Sequence, residues 1–173
     1  MSDITVRTLG VDEWDQYRSM RLLALEESPE AFVATHAEEE AEPEEFWRAR
    51  MERSVRLLAE RDGEQLGIAS VGPGGDENHA QLFGLWVRPE ARGSGVAAAL
   101  VRAGAHVARG QGKGQLLYWV GTENGRAVAF ASGFGFRPTG IRRPMRVVSK
   151  DDGEEEIAMT LPLAGDRGGM GEY

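Results

Sequence analysis

Apolar residues along the chain follow strand spacing in some segments and helix spacing in others. Ile4 to Leu9 alternates apolar and polar positions as a half-buried strand does, and Gly10 ends it. After Val11, apolar residues recur at helical spacing until Pro29 stops the helix. A second helix is predicted from Pro43 to about Glu52, because proline and acidic residues favour a first helical turn.

The following segments predict more strands and helices. Val55 to Ala59 and Leu66 to Val71 form a predicted hairpin around the turn at Asp62 and Gly63. The later elements are a strand at residues 80–87, a helix at 96–107, a central strand at 115–120, a helix at 125–132 capped by Asn124, and two late strands at 145–148 and 156–161. This order is typical of an α/β fold.

Length and composition indicate one globular domain. The chain has 173 residues, of which 41% are hydrophobic and 28% charged, and this predicts a single domain over residues 1–163 followed by a flexible, glycine-rich tail at 164–173. The sequence contains no cysteine, which excludes thiolate catalysis and disulfides. The start resembles no signal peptide, and the apolar run from Val96 to Val101 is too short for a membrane span. We expect a cytoplasmic protein without a membrane anchor.

Charge is distributed unevenly along the chain. The net charge is −8, which argues against binding to nucleic acid. Residues 1–65 carry 17 acidic and 8 basic side chains, whereas residues 66–150 carry 4 acidic and 11 basic ones. A basic middle segment favours an anionic ligand, and an acidic amino-terminal segment favours a cationic one. The alternative is that these charges only cover different solvated faces.

A strand that runs into a glycine-rich turn and then a helix is the most informative segment, from Val87 to Ala97. Such a turn presents unpaired backbone N–H groups at the positive end of a helix dipole, where a pyrophosphate fits. Gly93 and Gly95 let ligand oxygens approach the backbone, and Arg92 adds a positive charge.

Two other phosphate-binding motifs, and a metal site, agree less well with the sequence. Gly93-x-Gly95-x-x-Ala98 matches a dinucleotide fingerprint, but residues 113–122 contain no acidic residue to hold a ribose. Lys113 is followed by Gly114 and not by the hydroxyl residue of a Walker loop. The three histidines lack metal-ligand spacing, so no metal site is predicted.

Two segments resemble the GNAT N-acetyltransferase superfamily. Residues 85–100 look like its acetyl-CoA signature, Arg/Gln-x-x-Gly-x-Gly/Ala, which is met by Arg92, Gly95 and Ala97. The segment from Asn124 to Phe130, followed by Gly135-Phe136, resembles a second family landmark. The resemblance covers about Ile4 to Leu163 and implies a central mixed, splayed sheet flanked by about four helices.

The resemblance also implies which residues bind acetyl-CoA. In the family, one strand bonds the pantetheine arm, the following amides hold the pyrophosphate, and the second landmark faces the pantetheine. The positions that match in this sequence are Leu85, Trp86 and Val87 for the strand, Arg92, Gly93, Ser94, Gly95, Val96 and Ala97 for the amides, and Asn124 and Phe130 for the second landmark.

The residues for proton transfer depart from the family pattern. Ala131 stands where many members have a tyrosine acid, which leaves no acid, a water, or the neighbouring Ser132. Gln81 stands where members often have a glutamate, so the candidates for the base are Glu38, Glu39 and Glu40, of which Glu39 is selected. The backbone N–H of Val87 is the expected oxyanion donor. The alternative for Glu39 is a solvated charge.

The expected activity is direct transfer of an acetyl group from acetyl-CoA to a primary amine of a cationic small molecule or peptide. Without cysteine or an activated serine, no covalent enzyme intermediate is expected. The alternative is an acyl-CoA-binding or sensing module that has lost catalysis, which Gln81 and Ala131 keep open. Dimers are common in families of this resemblance, so a homodimer is a further expectation.

Overall fold

The computed structural model describes residues 3–144 and 155–163. The chain forms two compact units. The first contains the residues up to Gly72 together with Gly84–Gly104, and the second contains Pro73–Phe83 and the residues from Ala105 onward. The prediction of one domain over residues 1–163 stays a prediction, and the predicted tail at 164–173 lies outside the described residues.

The described residues contain seven strands in one mixed sheet, with the order β1-β2-β3-β4-β5-β7-β6. The strands are β1 (Thr5–Leu9), β2 (Val55–Arg61), β3 (Glu64–Pro73), β4 (His79–Val87), β5 (Gln115–Gly121), β6 (Arg137–Pro144) and β7 (Glu155–Pro162). The helices are α1 (Trp14–Glu27), α2 (His36–Glu40), α3 (Glu44–Arg53), α4 (Val96–Gly110) and α5 (Gly125–Phe134). The mixed α/β fold confirms the predicted class, with five helices among the described residues in place of about four.

Apolar packing of the first unit joins α1 and α3 to its strands. Trp47 is fully buried and lies edge-on against Tyr17, with ring centroids 6.0 Å apart. Trp86 of β4 joins this core, and its indole N–H donates to the Ser28 hydroxyl at 3.1 Å. Burying this much aromatic surface is the main stabilising contribution of such a core.

The hairpin of β2 and β3 turns where the sequence predicts it. Asp62 and Gly63 both have positive φ, 55° and 81°, as a type I′ turn requires. On β3, Gly67 lies directly against β4: a Cβ at this position would be 2.7 Å from the Trp86 carbonyl oxygen and 3.2 Å from Cγ1 of Val96. Glycine at residue 67 therefore allows the end of β4 to approach β3.

In the second unit, β4 pairs in parallel with β5 over four residues, from His79 opposite Gln115 to Leu82 opposite Tyr118. β4 continues to Val87 and β5 to Gly121. The parallel pairing covers four residues of each strand, and the splay of the sheet stays a prediction. The central position predicted for β5 is also confirmed, because β7 pairs with its other edge.

Two details differ from the sequence predictions. The helix α2 was not predicted. It begins with a capping box at Thr35, in which the Thr35 hydroxyl accepts from the Glu38 N–H and the Glu38 carboxylate accepts from the Thr35 N–H. The sequence also predicts no strand over residues 137–144, where β6 lies, and the predicted late strand at residues 145–148 lies outside the described residues. Among the described residues, no helix combines the length and the apolar character needed to cross a membrane.

The close approach at Gly67 predicts a loss of stability in Gly67→Ala. The added methyl group would contact the Trp86 backbone, which cannot rotate away, so we expect a loss of about 2 kcal/mol in the free energy of unfolding. Urea unfolding measures it. Gly110→Ala is the matched control, because a Cβ there meets no atom within 4 Å. A Gly67→Ala variant as stable as this control would contradict the prediction.

Candidate active site

The turn between β4 and α4 is held open by two glycines. Gly93 and Gly95 have φ values of 84° and 93°, a region that L-residues with a side chain adopt at a cost. A Cβ placed on either glycine meets no atom within 4 Å. The backbone of this turn is therefore exposed to any ligand that approaches it.

Backbone N–H groups accumulate at the start of α4. The first helical hydrogen bond that the structure shows there runs from Ala99 N–H to Gly95 O, at 3.0 Å. Within the described part of the chain, the structure shows backbone hydrogen bonds from the amides of Arg92 and Ala99 and shows none from the amides of residues 93–98. Such donors at a helix amino terminus attract anions through both hydrogen bonding and the helix dipole.

Side chains of the same turn bond to backbone carbonyls. The Nε atom of Arg92 donates to the Val87 carbonyl oxygen at 3.0 Å, and Nε of Arg88 donates to the Gln65 carbonyl oxygen at 2.5 Å. The Ser94 hydroxyl donates to the Ala91 carbonyl oxygen. These bonds fix the path of the turn and leave its amides available.

The end of β4 presents its backbone in alternating directions. The Arg88 N–H donates to the Leu66 carbonyl oxygen of β3 at 2.8 Å. Since successive peptide groups of an extended chain point to opposite sides, the N–H of Val87 points away from β3. Upstream in the same strand, Gly84 has a φ of 63°, which interrupts the regular strand geometry.

The other candidate residues of the carboxyl-terminal half lie in the second unit. Asn124 caps α5, with its side-chain oxygen accepting from Ala127 N–H at 3.1 Å. On the same helix, Phe130 is half-buried and Ser132 is exposed, whereas Ala131 is fully buried. The predicted helix cap is confirmed, and the predicted cofactor and catalytic roles stay predictions.

Glu39 lies inside a clamp of two arginines in the first unit. Its side chain is 4% exposed, and both carboxylate oxygens accept hydrogen bonds from Arg21 and from Arg50 at 2.9–3.1 Å. Burial by itself would raise the pKa of the Glu39 carboxyl, but the hydrogen bonds from Arg21 and Arg50 outweigh burial and hold that pKa below its ordinary value.

This clamp makes Glu39 a weak base, because four donors occupy its lone pairs and its pKa is lowered. Its role as catalytic base stays a prediction, and its position favours a structural role. Sequence reasoning did not single out Arg21 and Arg50. Helical spacing was the available signal. Arg21 lies one helical turn after Tyr17, and Arg50 lies one helical turn after Trp47, and both aromatic residues belong to the core.

Sequence reasoning also left out Tyr118 of β5. Its ring lies 5.9 Å from that of Phe136, in a tilted arrangement, and burial raises the pKa of its phenol. The hydroxyl therefore keeps its proton throughout the neutral range. Among the described residues, no group of three or more histidine, aspartate or glutamate side chains has an arrangement able to hold a metal ion.

Comparison with a family model identifies the family to which this chain belongs. The model of the acetyltransferase (GNAT) family matches residues 17–136, a range that includes β4, the open turn and α5. The chain belongs to the GNAT family of acetyltransferases. The resemblance drawn from residues 85–100 and 124–136 is thereby confirmed.

Relatives within the GNAT family include mycothiol acetyltransferases. The one from Stackebrandtia nassauensis is 40% identical over 84 residues, which cover 46% of this chain and 28% of that protein. The one from Cellulomonas flavigena is 31% identical over 141 residues, 76% of this chain and 39% of that protein. The chain thus matches less than half the length of these two relatives.

Two further GNAT proteins extend the comparison. An aminoglycoside N(6')-acetyltransferase type 1 from Klebsiella aerogenes is 41% identical over 86 residues, 45% of this chain and 57% of that protein. Among solved structures, a GNAT-family acetyltransferase from Desulfovibrio desulfuricans superposes with a TM-score of 0.73 at 17% identity, covering 94% of this chain and all of that one. At this identity the structural likeness shows the fold alone.

The arginine clamp predicts that Glu39→Gln destabilises the protein in a pH-dependent way. Removing the charge leaves two largely buried guanidinium groups uncompensated, so we expect a loss of about 2–4 kcal/mol in the free energy of unfolding at pH 7. Because folding lowers the Glu39 pKa, this stabilisation is complete above the ordinary value of 4.5 and is lost as the pH falls through the folded-state value.

Urea unfolding of wild type and Glu39→Gln between pH 7 and pH 3 measures this difference. The gap between the two proteins should close on acidification. Glu42→Gln, at an exposed position between α2 and α3, is the control and should match wild type at every pH. A gap that stays constant down to pH 3 would mean that the clamp does not depend on the ionised carboxylate.

Proposed function

We propose that this GNAT protein transfers an acetyl group from acetyl-CoA to a primary amine. The observation that carries the proposal is the run of amides at residues 93–98 that lack acceptors among the described residues, within the region matched to the GNAT model. Six such donors at a helix start suit the diphosphate of coenzyme A better than a neutral ligand.

Each part of acetyl-CoA has a counterpart among the candidate residues. The amides from Gly93 to Ala97 would hold the diphosphate, with Arg92 contributing its guanidinium because its own N–H donates to the Pro89 carbonyl oxygen at 3.3 Å. The end of β4 from Leu85 to Val87 would bond the pantetheine through its backbone. The Trp86 side chain is committed to the core, so its contribution would come from main-chain atoms. Asn124 and Phe130, in the second unit, are the residues that the family resemblance assigns to pantetheine.

The transfer requires a neutral amine. Its nitrogen lone pair attacks the thioester carbonyl carbon, a C–N bond forms, and the carbonyl oxygen becomes an oxyanion that the Val87 N–H would stabilise. The C–S bond then breaks as the oxyanion collapses, the amine nitrogen loses a proton, and the thiolate of coenzyme A gains one. With a thiol pKa of about 8.5, this leaving group needs only modest help from an acid.

Proton transfer in this scheme does not require one dedicated side chain. Ser132 is exposed on α5 and would donate to the thiolate directly or through a water. Glu39 would accept the amine proton only if its arginine clamp opened, because all its acceptor positions are in use. A water chain that leads to bulk solvent is the better acceptor for a cationic amine.

We further propose a cationic amine as acceptor. The exposed glutamates around α2, together with the excess of acidic residues before residue 65, favour such a substrate. One relative is named for aminoglycosides, which carry several amines, and others for mycothiol. A homodimer and a cytoplasmic location also belong to this proposal, on the strength of the family and the sequence.

Thiol release from acetyl-CoA with a panel of polyamines, aminoglycosides, amino acids and peptides tests the activity. We expect turnover with at least one cationic amine, and the product should be its N-acetyl derivative by mass spectrometry. Tight binding of acetyl-CoA without turnover on any amine would instead support the sensing module. Family membership favours the enzyme.

The open turn predicts a specific effect of Gly95→Ala. A methyl group at a φ of 93° is strained and lies where phosphate oxygens would approach, so we expect the Kd for coenzyme A to rise about tenfold. Calorimetry with coenzyme A and with pantetheine measures it. Pantetheine, which lacks the diphosphate, should bind both proteins equally, and Gly110→Ala should bind coenzyme A as wild type does. Equal weakening for both ligands would contradict the role of the turn.

A further inference from the structure

We propose that Arg92 is a positioning residue that sets the orientation of the Val87 backbone, in addition to attracting phosphate. The inference rests on the proposed acetyl transfer, in which the Val87 N–H stabilises the oxyanion. It starts from the hydrogen bond between Nε of Arg92 and the Val87 carbonyl oxygen, 3.0 Å long.

The peptide group that follows Val87 is held at both ends. Its carbonyl oxygen accepts from Arg92, and its N–H, that of Arg88, donates to the Leu66 carbonyl oxygen at 2.8 Å. The side chain of Arg88 strengthens the second contact by donating to the adjacent Gln65 carbonyl. This peptide plane therefore cannot rotate without losing a charge-assisted hydrogen bond.

The peptide group that precedes Val87 is confined by packing. Its carbonyl oxygen, that of Trp86, lies so close to Gly67 that a Cβ there would be 2.7 Å away. The Val87 N–H, on the opposite side of the same peptide, consequently points away from β3. It shares that side with the Val87 carbonyl and hence with the Arg92 guanidinium.

The shape of the guanidinium allows Arg92 both tasks. Nε is used by Val87, while the two terminal nitrogens lie further along the same rigid plane and stay available for phosphate oxygens. Lysine has a single donor nitrogen and would serve one task at a time. Arg92 thus links diphosphate binding to the geometry of the proposed oxyanion donor, which precedes the first glycine of the turn by six residues.

Arg92→Ala, Arg92→Lys and the control Arg102→Ala separate positioning from phosphate binding. Arg102 is exposed on α4. Thiol release is measured at saturating acetyl-CoA and with acetylpantetheine, which carries no phosphate, using the best amine of the panel. We expect Arg92→Ala to lower kcat with acetyl-CoA, and kcat/KM with acetylpantetheine, each about tenfold.

Arg92→Lys should keep the affinity for coenzyme A within a few-fold of wild type and still show the lowered kcat. Arg102→Ala should match wild type in every assay. If Arg92 acts on phosphates alone, Arg92→Ala raises KM for acetyl-CoA, keeps kcat and keeps acetylpantetheine turnover. That result would overturn the inference.

Amide hydrogen exchange gives a readout that does not depend on activity. The Arg88 N–H should exchange faster in Arg92→Ala and Arg92→Lys than in wild type, because the opposite end of its peptide group is released. Unchanged exchange would also overturn the positioning role. A wild-type protein that releases no thiol with any amine would refute the proposed transfer, and the exchange rate would still decide whether Arg92 holds the Val87 peptide.

Discussion

The unused N–H groups at the start of α4 impose the main constraint on this protein. A helix must leave its first amides without intrahelical acceptors, and here the two glycines before it add further free donors. Burying that many unpaired donors in apolar surroundings would cost several kcal/mol. The turn is therefore exposed from Arg92 to Gly95, and the apolar core of the first unit resumes at Val96.

Local signals explain why much of the fold could be predicted from the sequence. The Asp62-Gly63 turn, the stop at Pro29 and the cap at Asn124 each act within a few residues, and the structure has all three features where they were expected. The open turn is local in the same sense, because two glycines and a following apolar helix define it. The prediction of the candidate cofactor site rested on such local signals.

Non-local contacts explain what the sequence did not predict. Three consecutive glutamates from Glu38 to Glu40 look equivalent in the sequence, yet the middle one is buried while its neighbours are exposed. The difference arises from Arg21, 18 residues earlier, and Arg50, 11 residues later. The short helix α2 that carries Glu39 has too few residues for a periodic signal, although its capping box was present at Thr35 and Glu38.

A main-chain oxyanion donor has a particular consequence for how catalysis depends on sequence. The proposed donor is the Val87 N–H. Since only substitution by proline would remove this group, other substitutions would impair it only by displacing it. Its position depends on neighbours that hold the peptide groups on either side: the absence of a side chain at Gly67, the Leu66 carbonyl and the Arg92 guanidinium. Preorganised donors stabilise developing charge because they need no reorientation during the reaction. Under the proposed mechanism, residues that never touch the acetyl group would therefore control the rate of its transfer.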